Sequence, residues 1–154
     1  MKPEMRMIRC TIMRGGTSKG IFLRSNDIPK DTQKRDEVIR AIFGSPDVRQ
    51  IDGLGGADVL TSKLAIIAPS TDERADVDYT FGQVSFENEI IDYKGNCGNI
   101  SSAVGPFAID EGLVKAVEPI TTVKIRQTNS DTILIAEVPV RDGRACVEGD
   151  FKID

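Results

Sequence analysis

The sequence predicts an α+β fold with one helix packed centrally against a strongly curved sheet and a second, short helix beside it. Three observations carry this. Most apolar residues fall in short runs rich in Ile, Val, Thr and Phe that are bounded by Gly, Asp and Asn, the pattern of strands and turns. Only two stretches place apolar residues three and four apart between helix-type start and stop signals. The 154 residues, 40% of them hydrophobic, suffice for one ordinary core and therefore for a single domain.

Taken in order, Met5 to Met13 reads as a strand, interrupted by the glycine-rich loop Arg14 to Gly20 and followed by a second strand at Ile21 to Leu23, so that a hairpin is expected. Asp31 is placed to cap a helix that runs through Phe43. Val38, Ile39 and Ile42 supply its apolar spacing, Gly44 its stop, and Pro46 lies just beyond. Asp52 to Asp58 reads as a flexible loop leading into a short buried strand, Lys63 to Ala68. A further strand is expected from Val77 to Phe86. Asn96 to Glu111 is the main candidate for a buried helix, with Ile100, Ala103, Val104, Phe107 and Ala108 on its apolar face and Gly112 as its stop. Pro106 removes one backbone donor, which predicts a kink or break near Gly105. Thr121 to Gln127 and Thr132 to Val138 flank Asn129-Ser130-Asp131 as a hairpin, and Arg144 to Glu148 follows Asp142-Gly143 as a last strand.

Composition removes several classes of function. A net charge of -4 and the lack of a Lys/Arg stripe with interleaved aromatics argue against a nucleic-acid partner and for a small one. The amino end, MKPEMRMIRC, has no apolar run of signal-peptide type, and no stretch approaches membrane-spanning length. Cys10, Cys97 and Cys146 are odd in number and form no CxxC pair, which suits a reducing cytoplasm better than a disulfide framework or a zinc site. There is no histidine, so Ser-His-Asp triads, Cys-His pairs and His-based metal sites are excluded together, and acid-base work falls to Lys, Cys, Asp, Glu or Tyr.

The chemistry-bearing candidates lie in three glycine-rich segments. Cys97 stands at the expected helix start, where free backbone N–H groups favour negative charge, thiolate included; Asn96, Gly98 and Asn99 bracket it, and the glycines Gly95 and Gly98 admit a ligand close to the backbone. The same cysteine also reads as a small gap-filler. Lys63, at the edge of an apolar run, is a possible base or else a strand-end lysine reaching water. Arg14 to Gly20, with Gly16, Thr17, Ser18 and Lys19, combines cations, hydroxyls and glycines as a nest for a carboxylate or phosphate, or as a plain tight turn. It is not a Walker motif, because Ser18 and Lys19 precede Gly20, and Gly53 to Asp58 departs from the dinucleotide fingerprint at Asp58. Arg14, Lys19, Lys63 and Lys94 all lie in or beside these segments, so folding that joined them would make a positive pocket for a small anion.

MRGGTSKG (Met13 to Gly20), DGLGGADVLTSKLAII (Asp52 to Ile67) and GNCGNISSAVGPFAIDEGLV (Gly95 to Val114) together resemble the PrpF family of 2-methylaconitate cis-trans isomerases, methylitaconate Δ-isomerases and 4-oxalomesaconate tautomerases. The resemblance implies the diaminopimelate epimerase-like fold: two similar lobes, each a mostly antiparallel sheet or barrel around a central helix, with the active site between them. Residues 1–154 would be the N-terminal lobe, the second lobe being absent from this chain. It further implies cofactor-free, metal-free proton transfer on an unsaturated di- or tricarboxylic acid. The catalytic residues would be Lys63 and Cys97, and Gly16, Thr17, Ser18, Lys19, Asn96, Gly98 and Asn99 would hold substrate carboxylates. The expected partners are a small polycarboxylate and either a second lobe or a second copy of the chain. Two rival readings share this frame: an epimerase or racemase of the same fold, which would use a cysteine from each lobe, and a carboxylate-binding module without turnover.

Overall fold

In the computed structural model, which describes residues 5–150 and 152, eight strands form one sheet in the order β1-β2-β3-β4-β6-β7-β8, with β5 on β4. The strands are β1 Thr11–Gly15, β2 Ser18–Arg24, β3 Lys63–Pro69, β4 Val77–Val84, β5 Ile91–Asp92, β6 Ile120–Gln127, β7 Thr132–Arg141 and β8 Arg144–Ala145. β2 with β3 and β4 with β6 are parallel pairs and the others are antiparallel, so the sheet is mixed with an antiparallel majority.

Helix α1, Thr32–Phe43, forms as its sequence signals dictate. Asp31 accepts the Lys34 N–H at 2.9 Å, and Gly44 closes the helix in the left-handed region at φ 80°. The Asn96 to Glu111 stretch departs from expectation. It divides into α2, Gly98–Ser101, and α3, Val104–Asp110, with the break at Ser102-Ala103 rather than near Gly105. The reason is the proline: by ending α2 before it and restarting at Val104, the chain places Pro106 in the first turn of α3, where its missing N–H deprives no carbonyl within the helix. The central helix is therefore the shorter one, and the second helix, α1, is the longer.

The two faces of the sheet carry separate cores. On one, Phe22, Ala65, Ile67, Val77, Tyr79, Phe81, Val123 and Ile125 enclose Ile100, Val104, Phe107 and Ala108 of α2 and α3. On the other, Ile21, Leu23, Leu64 and Ile66 pack on Ile39 and Phe43 of α1. Period-two alternation along β2 and β3 produces this division directly. α3 touches β3, β6, β7 and β8, which are far apart in strand order, so the sheet curls around it. Gly105 permits the close approach: a Cβ there would stand 2.8 Å from Val138 and 3.0 Å from Ala136. Each aromatic or aliphatic side chain fully buried in this core contributes about 1.5–3 kcal/mol.

Four local expectations are corrected. Residues 5–10 are not strand, because β1 pairs from Thr11 opposite Phe22 and its partner β2 ends at Arg24, where a 3-10 turn at Ser25–Asp27 takes the partner away. Arg14 to Gly20 is no open loop; β1 and β2 run through it and leave only Gly16-Thr17 as the turn. Strand character around Arg144 stops at Ala145 instead of Glu148. The Asp52 to Asp58 loop is pinned, since Leu54 and Gly55 donate to the carbonyls of Ile42 and Phe43, and buried Gln50 accepts the Ala57 N–H at 2.8 Å and the Ser62 hydroxyl at 2.7 Å.

Candidate functional site

The site follows from the register of three strands. Lys63 at the start of β3 lies opposite Gly20 on β2 and opposite Gln83 on β4. Phe22, Ala65 and Phe81 belong to the core around α3, so alternation turns Ser18, Gly20, Lys63 and Gln83 toward the same face, at the end of the sheet that α2 covers. The Lys63 ammonium stands 5.6 Å from the centre of the Phe81 ring and donates to Gln83 Oε1 at 2.7 Å. Gln83 in turn donates through Nε2 to the carbonyls of Val59 at 3.2 Å and Ser62 at 3.1 Å.

Cys97 is the N-cap residue of α2, with extended backbone (φ −137°, ψ 105°). Half-buried, it packs against the same core that contains Phe81 and Ile100. Its carbonyl accepts both the Ser101 N–H at 3.0 Å and the Ser101 hydroxyl at 2.8 Å. α2 is a single turn, so the helix-dipole argument for Cys97 loses most of its force. What remains is local: the first N–H groups of a helix have no partner within it. Around Gly98 a Cβ would meet nothing within 4 Å, so backbone there borders open space. Beneath α2 lies Tyr79, fully buried on β4; burial, with a smaller contribution from Cys97, pushes its ionisation well above the ordinary range against the opposing effect of Ser101, and its hydroxyl stays neutral.

The β1–β2 turn closes on α2 from the other side. Thr17 N–H points at Asn99 Oδ1 at 3.5 Å, and a Cβ on Gly15 would stand 2.3 Å from the Asn99 carbonyl oxygen. Asn99 thus spends its amide oxygen on the turn and, among the described residues, keeps its Nδ2 donor unbonded. Ser18 is buried, and among the described residues its Oγ has no hydrogen-bond partner. A buried hydroxyl left so costs about 1–3 kcal/mol.

The structure therefore joins Gly16 and Thr17 to Asn99 where the β1–β2 turn meets α2, sets Ser18 and Lys63 on the sheet face that carries the α2–α3 core, and places Cys97 and Gly98 at the start of α2, with Asn96 exposed just before them. It does not bring the Lys19 side chain there. Lys19 lies opposite Arg14 on the alternate face of the hairpin, and its ammonium donates to the Leu54 carbonyl at 3.1 Å, while Arg14 folds onto the Gly16 carbonyl at 2.9 Å. The expected convergence of four cations fails: the strand period separates Arg14 and Lys19 from Lys63, which alone of these three projects to the site face, and the fourth, Lys94, is exposed beyond β5.

Two residues that sequence reasoning passed over complete the geometry. Gln83 is the inward polar member of the series Val77, Tyr79, Phe81, Gln83, and that break in an otherwise apolar face was a readable signal. Asn129, in the β6–β7 turn, accepts the Phe81 N–H at 2.8 Å and donates to the carbonyls of Phe81 at 2.9 Å and Tyr93 at 2.6 Å. It ties the strand under Lys63 to the segment that leads to Cys97, which a turn-type asparagine does not announce.

Comparison with known proteins places the chain in a family and a fold. The family described as PrpF protein matches residues 5–154. The 3-methylitaconate isomerase of Eubacterium barkeri is 67% identical over 154 residues, 100% of this chain and 40% of that protein, and the 4-oxalomesaconate tautomerase of Pseudomonas putida is 51% identical over 147 residues, 96% of this chain and 41% of that protein. The chain thus spans about two fifths of the length of these curated relatives. A crystal structure of methylitaconate-delta-isomerase superposes with a TM-score of 0.92 at 68% identity, covering 96% of this chain and 66% of that one. A hydroxyproline epimerase from Agrobacterium vitis, 15% identical, shares the fold with a TM-score of 0.57 over 88% of this chain and 39% of that one.

Proposed function

The chain belongs to the PrpF family, and from that premise we propose that it supplies one wall of an isomerase site that moves a proton on an unsaturated di- or tricarboxylic acid. The observation that carries the reading is a shared sheet face: the Lys63 amine lies over Phe81, Cys97 packs against the core to which Phe81 belongs, and the Ser18 hydroxyl on that face has no hydrogen-bond partner among the described residues. One substrate carboxylate sits against Ser18 Oγ, Asn99 Nδ2 and the first N–H groups of α2, beside the Gly16-Thr17 turn. Hydrogen-bond donors so aimed stabilise the negative charge that develops when a proton leaves the carbon next to that carboxylate. The deprotonated form of Lys63 or Cys97 takes the proton, and the electron pair spreads through the adjacent double bond. A proton delivered to the far carbon then completes the double-bond shift with no change of oxidation state.

Relatives that act on methylitaconate and oxalomesaconate support this substrate class. An epimerase mechanism with two facing cysteines draws no support from Cys10, which packs in the α1-side core on the opposite face, while Cys146 lines the groove that begins at Gly98. Three unpaired thiols support a reducing, cytoplasmic setting, and no described helix is long and apolar enough to cross a membrane. Beside Gly98 a groove of about 450 Å³ runs along Leu134, Ile135, Ala136 and Val138, and Ile135 is 67% exposed; this apolar border supports an apposed lobe or second copy as the other wall.

The test is incubation of the full-length gene product with 3-methylitaconate in deuterated water, followed by proton NMR. Solvent deuterium on the far carbon that gains the proton, together with the shifted double bond, is the expected result. Binding without exchange would overturn the isomerase reading in favour of a carboxylate-binding module.

A further inference from the structure

We propose that Gln83 is the positioning residue for Lys63, an inference that rests on the reading of Lys63 as a proton carrier. Gln83 and Lys63 are direct cross-strand partners on β4 and β3, and the amide oxygen of one lies 2.7 Å from the amine of the other. The orientation of that amide is not free. Both Nε2 hydrogens are taken, by the Val59 and Ser62 carbonyls, so turning the amide over would break both bonds and set its NH2 group against the Lys63 ammonium. The oxygen end is therefore held toward Nζ by backbone outside both strands.

A consequence for chemistry follows from the valence of the amine. Neutral Lys63 has two N–H bonds and one lone pair. With one N–H directed at Gln83 Oε1, the lone pair is confined to the two remaining positions of the amine, both of which point away from Gln83. Gln83 is also uncharged, so it orients the amine without holding its proton as a carboxylate would. The neighbouring charged groups do not replace it: Asp92 shares the face of Gln83 but accepts the Lys94 N–H at 2.8 Å, Asp58 accepts the Leu60 N–H at 2.8 Å, and Lys19 lies on the other face. Among the described residues Lys63 has no ion-pair partner.

Two variants of the full-length gene product test the assignment, with deuterium exchange into 3-methylitaconate as the rate. Gln83→Met keeps the volume and removes the hydrogen bond; kcat is expected to fall about 10-fold or more with KM within about threefold. Gln83→Glu puts a carboxylate beside Nζ, and the acid limb of the pH–rate profile is expected to move up by about one unit or more. Acetylation of Lys63 by acetic anhydride, mapped by mass spectrometry across pH, reads the same displacement without activity and serves if either variant turns over poorly. Wild-type kcat and an unmoved pH profile in both variants, with Lys63→Ala inactive, would overturn the role of Gln83 and leave the proton-carrier reading standing. An active Lys63→Ala would overturn that reading instead.

Discussion

Gly15→Ala tests whether the β1–β2 turn and α2 form one rigid binding surface. The backbone of Gly15 lies outside the positive-φ region, so alanine meets no conformational penalty there and the effect is purely steric. Its Cβ would stand 2.3 Å from the Asn99 carbonyl oxygen and 3.0 Å from Ile100 Cα, whereas ordinary contact begins near 3.4 Å. Both obstacles are backbone atoms, so no rotamer change relieves them, and the turn must separate from α2 by about 1 Å. Overpacking of this kind costs about 1–3 kcal/mol, and for a domain of this size each kcal/mol lowers the melting temperature by about 2–4 °C. The same opening displaces Ser18 from Asn99 and Gly98. Misplacement by about 1 Å costs about 10²-fold in rate. Circular dichroism melts and the exchange assay, run on the same preparations, read the two effects separately. A variant that keeps the wild-type melting temperature and wild-type exchange would refute the argument, because it would mean that the turn and helix separate without consequence.

In the full-length gene product, Lys63→Ala and Cys97→Ser should each lower exchange by about 10² to 10⁴, the usual cost of losing a positioned acid or base, while Lys115→Ala, exposed beyond α3, should leave the rate unchanged. Asp31→Ala removes the cap of α1 and should cost about 1 kcal/mol in urea unfolding, with activity intact, since α1 packs on the face away from the site. The carboxylate of Asp78 is held below its usual range chiefly by the Arg126 guanidinium, with a further hydrogen bond from Ser70. A folded-state pKa below the unfolded one gives stability that is present above the unfolded value, near 4, and lost as pH falls through the folded value. Asp78→Asn should therefore flatten the acid side of a melting-temperature profile below about pH 4, and an unchanged acid limb would remove this pair from the account.

Local signals were legible wherever one residue type has one cheap use. Asp31 and Gly44 bound α1 to the residue because an acidic N-cap and a left-handed glycine stop act within a single turn. Expectations went astray where the deciding partner is distant. Residues 5–10 have strand-like composition, but β2 has already turned away at Arg24, and Arg9 reaches instead to Glu111 at 2.8 Å. The split at Ser102-Ala103 was half visible: the proline announced a break, and only the choice between sacrificing a carbonyl at Ser102 and restarting the helix placed it. In the site, Lys63 and Cys97 stood out as reactive types beside glycines. Gln83 did not, because a glutamine near the end of a strand reads as solvent-facing until the parity of Tyr79 and Phe81 is counted through to it.

The polar groups around the site divide by whether folding uses them up. Asn129 satisfies three backbone groups from Phe81 and Tyr93, and Gln50 bonds Ser45, Ser62 and Ala57 from a buried position. Groups so engaged shape the site and keep little bonding capacity for a ligand, and unpairing any of them carries the cost of a buried orphan. Ser18 and the Asn99 amide nitrogen are different. They face the same end of the sheet, and the fold gives them no partner among the described residues. Lys63 stands between the two classes, since its amine holds one neutral partner in Gln83 and retains bonds to offer. Recognition of a carboxylate and transfer of a proton both require groups whose capacity the fold has not consumed. On this face of the sheet Ser18, Asn99, Lys63 and the thiol of Cys97 meet that condition, as do the buried Tyr79 hydroxyl and Gln127 amide nitrogen, so unspent bonding capacity narrows the choice and the glycine-rich segments complete it.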